Sequence, residues 1–179
     1  MGDPPSTAVL IVDLQVGVVR GCHDAAGTVV RTARLVDRAR AEGASVVWVL
    51  DHSEFEPETP DWRLPAPLQA LPGEPVIRKR YRDAFCETDL GPTLRGRGIT
   101  HLAIGGSQSD YCVRSTAQRA AQEGYDVTLI GDCHTTCDQE YAGVTITGKQ
   151  AIAHTNLYWQ GYRWPGGRFA VAGHDAVRF

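Results

Sequence analysis

A chain of 179 residues, 42% hydrophobic and 22% charged, has the makeup of one folded domain over 1–179, long enough to bury a core without staples. Its formal net charge of −3, with arginines scattered among acids, argues against a nucleic-acid groove, and no apolar run approaches the ~20 residues that cross a bilayer. The opening MGDPPSTAVLIVDLQ has no basic segment before its apolar run, so no secretory leader is expected, and the five cysteines are expected as free thiols of a cytoplasmic protein.

Ala8–Val12 is a short β-branched run that reads as the first strand and ends on Asp13. Val29, Val30, Ala33, Leu35, Val36 and Ala39 follow at helical spacing, with Gly43 as a stop. Ser45–Leu50 is a second strand closed by Asp51 and His52. The segment 57–75 is rich in proline and is the longest irregular stretch; loops of that length often shape a site. Val76–Ile77, just before Lys79, and His101–Ile104, just before a Gly-rich turn, are weaker strands. A helix opens near Asp110 and closes at Gly124. Val127–Ile130 is a further strand, Gly148–Tyr158 another helix, and Phe169–Val171 a last short strand.

Short strands that are apolar throughout suit a parallel sheet buried on both faces. Alternation with helices predicts a three-layer α/β/α sandwich around a mainly parallel, roughly six-stranded, Rossmann-like sheet. Ligands of open α/β sheets bind at the carboxyl ends of the strands. Asp13, Asp51 and His52, Lys79, the 105–112 turn and residues 132–134 all fall on that rim.

Cys112 stands near a helix start, where free N–H groups and the helix dipole favour a thiolate. By itself it reads more often as a small buried hydrophobe. Asp13 alone reads as a strand-end cap, but in company it is a base for a thiol proton and an acid for a leaving amine. Lys79, one of two lysines, reads alone as a solvated cation; beside Asp13 and Cys112 it would stabilise both anions. Gly105 and Gly106 lack the G-x-G-x-x-G spacing, so no dinucleotide is expected.

The stretches AVLIVDLQ, PVIRKRYRDAF with Thr88, and LAIGGSQSDYCVRSTAQRAAQEGYDVTLIGDCHTT resemble the isochorismatase-like cysteine hydrolases over essentially the whole chain. The resemblance implies a catalytic triad of Asp13, Lys79 and Cys112. It also implies a cis peptide between Ser107 and Gln108, and an oxyanion hole from the amides of Gln108 and Cys112, usually the largest single catalytic contribution. It places Gln15, Phe85 and Tyr111 near the substrate. His52 and Trp62 either wall the pocket or are structural. Ser107 and Ser109 depart from the common hydrophobic residue and threonine, although Ser109 keeps a hydroxyl.

Zinc-binding relatives carry Asp-x-His; here Asp51 and His52 are adjacent, and Cys133, His134 and Cys137 offer only three ligands on one segment. No metal and no cofactor are therefore expected. His23 reads as surface, and His154 and Asn156 as supports of the last helix or a subunit contact. Tyr158, Trp159, Tyr162 and Trp164 suit an oligomer interface, and a homo-oligomer is expected. No carrier domain is expected after Phe179.

The function these residues imply is hydrolysis of a C–N bond in a small amide, lactam or ureido compound through a Cys112 thioester. One alternative is isochorismatase-type vinyl ether cleavage with Asp13 as the acid. The other is a non-catalytic small-molecule binding or scaffold protein. The pocket is expected to be shaped by the 57–75 loop, the C-terminal segment and a neighbouring subunit.

Overall fold

The computed structural model describes residues 6–179. Strand β1 (Thr7–Val12) is buried at every position, as a central parallel strand must be. Helices α1 (Val16–Val19) and α2 (Ala25–Ala41) follow, then β2 (Ser45–Asp51) and β3 (Val76–Lys79). Next come α3 (Leu90–Gly96), β4 (His101–Ser107), a π-helical turn (Ser109–Val113) that runs into α4 (Arg114–Gln122), and β5 (Asp126–Thr135). A hairpin of β6 (Gln139–Tyr141) and β7 (Val144–Ile146), helix α5 (Gly148–Gln160) and β8 (Phe169–Ala172) complete the chain.

The main sheet has six strands in the order β3-β2-β1-β4-β5-β8, all paired in parallel. Because successive strand residues face opposite ways, β1 feeds two cores. Ala8, Leu10 and Val12 meet Leu90 and Leu94 of α3, the Ala117, Ala120 and Ala121 stripe of α4, and Trp159 of α5. Val9 and Ile11 meet Val29, Leu35, Val36 and Ala39 of α2, together with Trp48 and Val177. This is the expected three-layer α/β sandwich.

Helix α5 starts at a reciprocal cap, in which Thr147 accepts from the Gln150 N–H and the Gln150 side chain accepts from the Thr147 N–H. Such a cap is worth about 1 kcal/mol. Three of the four C-terminal aromatics are spent inside the molecule. Trp159 stacks on Tyr162 at 4.6 Å, Tyr162 meets Phe169 edge-on at 5.1 Å, and Arg114 lies over Tyr158 at 4.6 Å; Trp164 stays exposed.

The free-thiol expectation is corrected at two of the five cysteines. Cys22 and Cys137 form a disulfide across 115 residues, with Cα atoms 3.9 Å apart. An antiparallel bridge between the two residues and the bond from the His23 N–H to the Thr136 carbonyl bring the segments together. Cys86, Cys112 and Cys133 are free. No helix among the described residues is long and apolar enough to cross a membrane.

Candidate active site

The carboxyl ends of β1, β2, β3 and β4 meet around one ammonium group. Lys79, the last residue of β3, is 1% exposed, and its Nζ lies 2.6 Å from Asp13 Oδ2, 2.8 Å from Asp51 Oδ2 and 3.4 Å from Cys112 Sγ. Asp13 leaves β1 with a φ of +48°, a left-handed conformation that aspartate tolerates better than most residues, and its N–H donates to the Val49 carbonyl at 2.8 Å. Its second oxygen, Oδ1, is buried and has no hydrogen-bond partner among the described residues.

Cys112 sits in the π-helical turn, where the Val113 N–H reaches back to the Gln108 carbonyl at 3.2 Å. Such turns concentrate at functional sites. The peptide bond between Ser107 and Gln108 is cis. Only glycine fits just before it: at Gly106 (φ +132°) an added Cβ would stand 1.9 Å from the Val12 carbonyl oxygen. The close approach of β4 to β1 thus brings the turn that carries Cys112 to the end of the strand that carries Asp13.

The charges are coupled. Burial pushes the Asp13 carboxyl up to about 6, although Lys79 pulls the other way. Burial also works against charge on Lys79, but Asp13, Cys112 and Asp51 together hold its pKa above the ordinary lysine value. Asp51 is raised by burial, and the bonds from Lys79 and Ser53 outweigh this, so it stays below the usual carboxylate range. Burial and then the Asp13 charge push the Cys112 thiol up to about 12 against Lys79. The resting arrangement therefore differs from the helix-start expectation of a ready thiolate. Burial and the Asp13 charge favour the protonated thiol, and the carboxylate beside it has one oxygen without a hydrogen-bond partner among the described residues.

Asp13, Asp51 and Cys112 open into a cleft of about 550 Å³, lined also by Gln108, Tyr111, Arg80, Arg82, Phe55 and Gln139. Arg82 lies over the Tyr111 ring at 3.9 Å, and the Tyr111 hydroxyl donates to Gln139 Oε1 at 2.7 Å. Cys137, and with it the disulfide, forms part of the wall.

Four residues expected at the substrate do not line this cleft. Gln15 is fully buried and clasps the backbone: its amide donates to the Asp51 and Trp62 carbonyls at 3.0 and 2.9 Å, and its oxygen accepts from the Asp51 N–H at 2.8 Å. His52 accepts from Arg80 Nε at 3.0 Å, outside the cleft. Trp62 is buried beside Arg78 in another hollow, and Phe85 packs into the core against Tyr125. The 57–75 loop does not line the cleft; its carbonyls at Arg63 and Asp61 hold the start of α1 instead. The walls come from α1, from 53–55 and from the β6–β7 side. Arg80, Arg82 and Gln139 carried no periodic signal; only their nearness to Lys79 or to the end of β5 pointed to the rim.

Residues 7–151 match the profile of the isochorismatase domain. The chain belongs to the isochorismatase family. This family member is 38% identical to a streptothricin hydrolase of Streptomyces noursei over 87% of its own length, and spans 65% of that enzyme and 50% of a second one from the same organism. It is 27% identical to the ureidoacrylate amidohydrolase RutB of Methylobacterium radiotolerans, covering 88% of this chain and 76% of that one. Its fold overlays that of a Pseudomonas putida isochorismatase with a TM-score of 0.86 at 28% identity, over 99% of this chain and 94% of the other.

Proposed function

We propose that this isochorismatase-family protein is a cysteine hydrolase that cleaves a C–N bond of a small amide, lactam or ureido compound. The observation that carries the reading is the single ammonium of Lys79 joining Asp13 and Cys112 in one cleft. Similarity to streptothricin hydrolase and ureidoacrylate amidohydrolase supports the same substrate class.

In this reading Asp13 takes the Cys112 proton as sulfur attacks the carbonyl carbon. Lys79 stays charged and offsets the anion that moves from carboxylate to sulfur. The tetrahedral oxyanion rests on the Gln108 and Cys112 amides, and Asp13 returns its proton to the departing nitrogen as the C–N bond breaks. Water, deprotonated by Asp13, then hydrolyses the thioester, releasing the acid and restoring the thiol. A thiol held protonated until substrate arrives is compatible with this cycle, because the base stands beside it.

A screen of small carboxamides and cyclic amides should reveal ammonia or amine release that Cys112→Ala abolishes, with a thioester mass trapped on Cys112. Isochorismate turnover indifferent to Cys112→Ala, with no amide consumed, would establish the ether-cleaving alternative instead. Binding of such compounds without turnover would favour the non-catalytic reading.

A further inference from the structure

Behind the turn that carries Cys112 runs a chain of polar side chains that the mechanism above does not use. Ser109 Oγ lies 2.7 Å from His134 Nδ1, His134 Nε2 lies 2.9 Å from Asn156 Oδ1, and Asn156 Nδ2 donates to the Gly131 carbonyl at 2.9 Å. Ser109 and His134 are 0% and 2% exposed, and neither lines the cleft. The chain links three elements: the nucleophile's turn, β5 and α5.

The last bond sets the direction of the others. With its amide nitrogen on the Gly131 carbonyl, Asn156 presents only an acceptor to His134, so Nε2 must carry the ring hydrogen. Nδ1 is then bare, and the Ser109 hydroxyl must donate to it. Burial lowers the His134 pKa, although Asn156 works the other way, so the neutral ring that this geometry needs is also the favoured one.

Packing alone does not call for such a chain, since apolar side chains of similar volume fill a core as well or better. Its place in the fold suggests a purpose. β4 and β5 shift register after Ile104 and pair again only at Gly106↔His134 and Ser107↔Thr135, where Ser107 Oγ also donates to the Thr135 carbonyl at 3.3 Å. Beyond Ser107 the turn has left the sheet, and Ser109 is its hold on β5.

We propose that His134, oriented by Asn156, is a positioning residue that grips the Ser109 hydroxyl and so fixes the 107–112 turn with the Gln108 and Cys112 amides converging on the oxyanion. The proposal rests on the cysteine-hydrolase reading above. It predicts a role in the transition state without a role in forming the thiolate. Alkylation of Cys112 by iodoacetamide, a displacement at a methylene that develops no oxyanion, separates the two.

The test compares wild type with Ser109→Ala, Asn156→Ala and Ser109→Thr on an amide that wild type turns over. Ser109→Ala and Asn156→Ala should lower kcat by about 10- to 100-fold, as small misplacements of catalytic groups do. KM and the Cys112 alkylation rate should stay close to wild type, and Ser109→Thr, which keeps the hydroxyl, should recover most of the loss. Unchanged kcat in Ser109→Ala would reduce the chain to packing and overturn the proposal. Alkylation falling in step with kcat would overturn it too, by placing the effect on the nucleophile or the whole fold. Should Asn156→Ala fail to fold, Ser109→Ala, which removes a single atom, decides alone. A wild type that hydrolyses no amide would sink the cysteine-hydrolase reading itself, an outcome visible before any variant is made.

Discussion

Replacing Asp13 by Asn is expected to give a protein without activity that becomes steadily more stable than wild type as pH rises. Asp13 is 1% exposed, and burial lifts its carboxyl from 3.8 to about 6 despite Lys79. A carboxyl with a higher pKa in the folded chain than in the unfolded one binds its proton more tightly when folded. The stability this provides is complete below about 3.8 and is lost as pH rises through about 6. At ~1.36 kcal/mol per pH unit, the loss across that window is roughly 3 kcal/mol. Asparagine has nearly the same shape and no such slope, and Lys79 keeps Asp51 as a partner at 2.8 Å.

Between about pH 4 and about pH 7.5 the variant should therefore gain roughly 3 kcal/mol on wild type, or roughly 6–12 °C in Tm for a chain of this size. Urea unfolding of both proteins in parallel over that range measures the difference, and the carboxylates common to both cancel from it. Turnover on the same samples should be lost in the variant at every pH. A stability difference that stays flat with pH, or that moves against the variant, would refute the claim that burial outweighs Lys79 at this carboxylate.

Three further outcomes follow from the same ion cluster. For the wild type, kcat/KM on an amide should fall as pH drops below about 6, because the free enzyme needs Asp13 ionised to receive the thiol proton; a profile flat from about pH 5 to about pH 8 would count against Asp13 as the base. Lys79→Met leaves Asp13 and Asp51 without their shared counter-charge and should cost about 3–5 kcal/mol near pH 8, with a smaller loss near pH 5 where Asp13 takes up a proton. Equal losses at the two pH values would show that the deficit is one of packing. Activity should survive exhaustive chelation, since Asp51 is already bonded to Lys79 and Ser53, and His52 to Arg80; loss that zinc restores would overturn this.

Much of the frame was legible because parallel strands must be apolar along their length. Ala8–Val12, Ser45–Leu50 and Val127–Ile130 stand out for that reason, and the polar residues that end them define the rim. Asp13, Lys79 and Cys112 could be placed on that rim because each directly follows or terminates a strand or its turn. The β6–β7 hairpin could not, since Tyr141, Val144 and Ile146 are exposed and no buried face imposes an alternation. Nor could the disulfide, whose partners are brought together by pairing between segments 115 residues apart. The family resemblance places Gln15 near the substrate, and His52 reads as either a pocket wall or a structural residue. A strand-end side chain can equally turn back on the backbone, as Gln15 does at Asp51, and only the three-dimensional neighbours decide which.

The position of β1 in the sheet bears on how the protein comes into being. TAVLIV leaves the ribosome well before β4, yet it is a central strand, with β2 on one side and β4 on the other. Thr7 pairs with His101, so the second neighbour is made only after roughly a hundred further residues, or roughly 5–20 seconds at ordinary elongation rates. During that interval a strand buried on both faces in the finished protein has one open edge and lacks the cover that α4 and α5 give one of its faces. The nascent chain should be a client of chaperones that shield apolar segments, and a chain that stops before β4 should carry an aggregation-prone strand and lack Cys112, the third member of the Asp13–Lys79–Cys112 cluster.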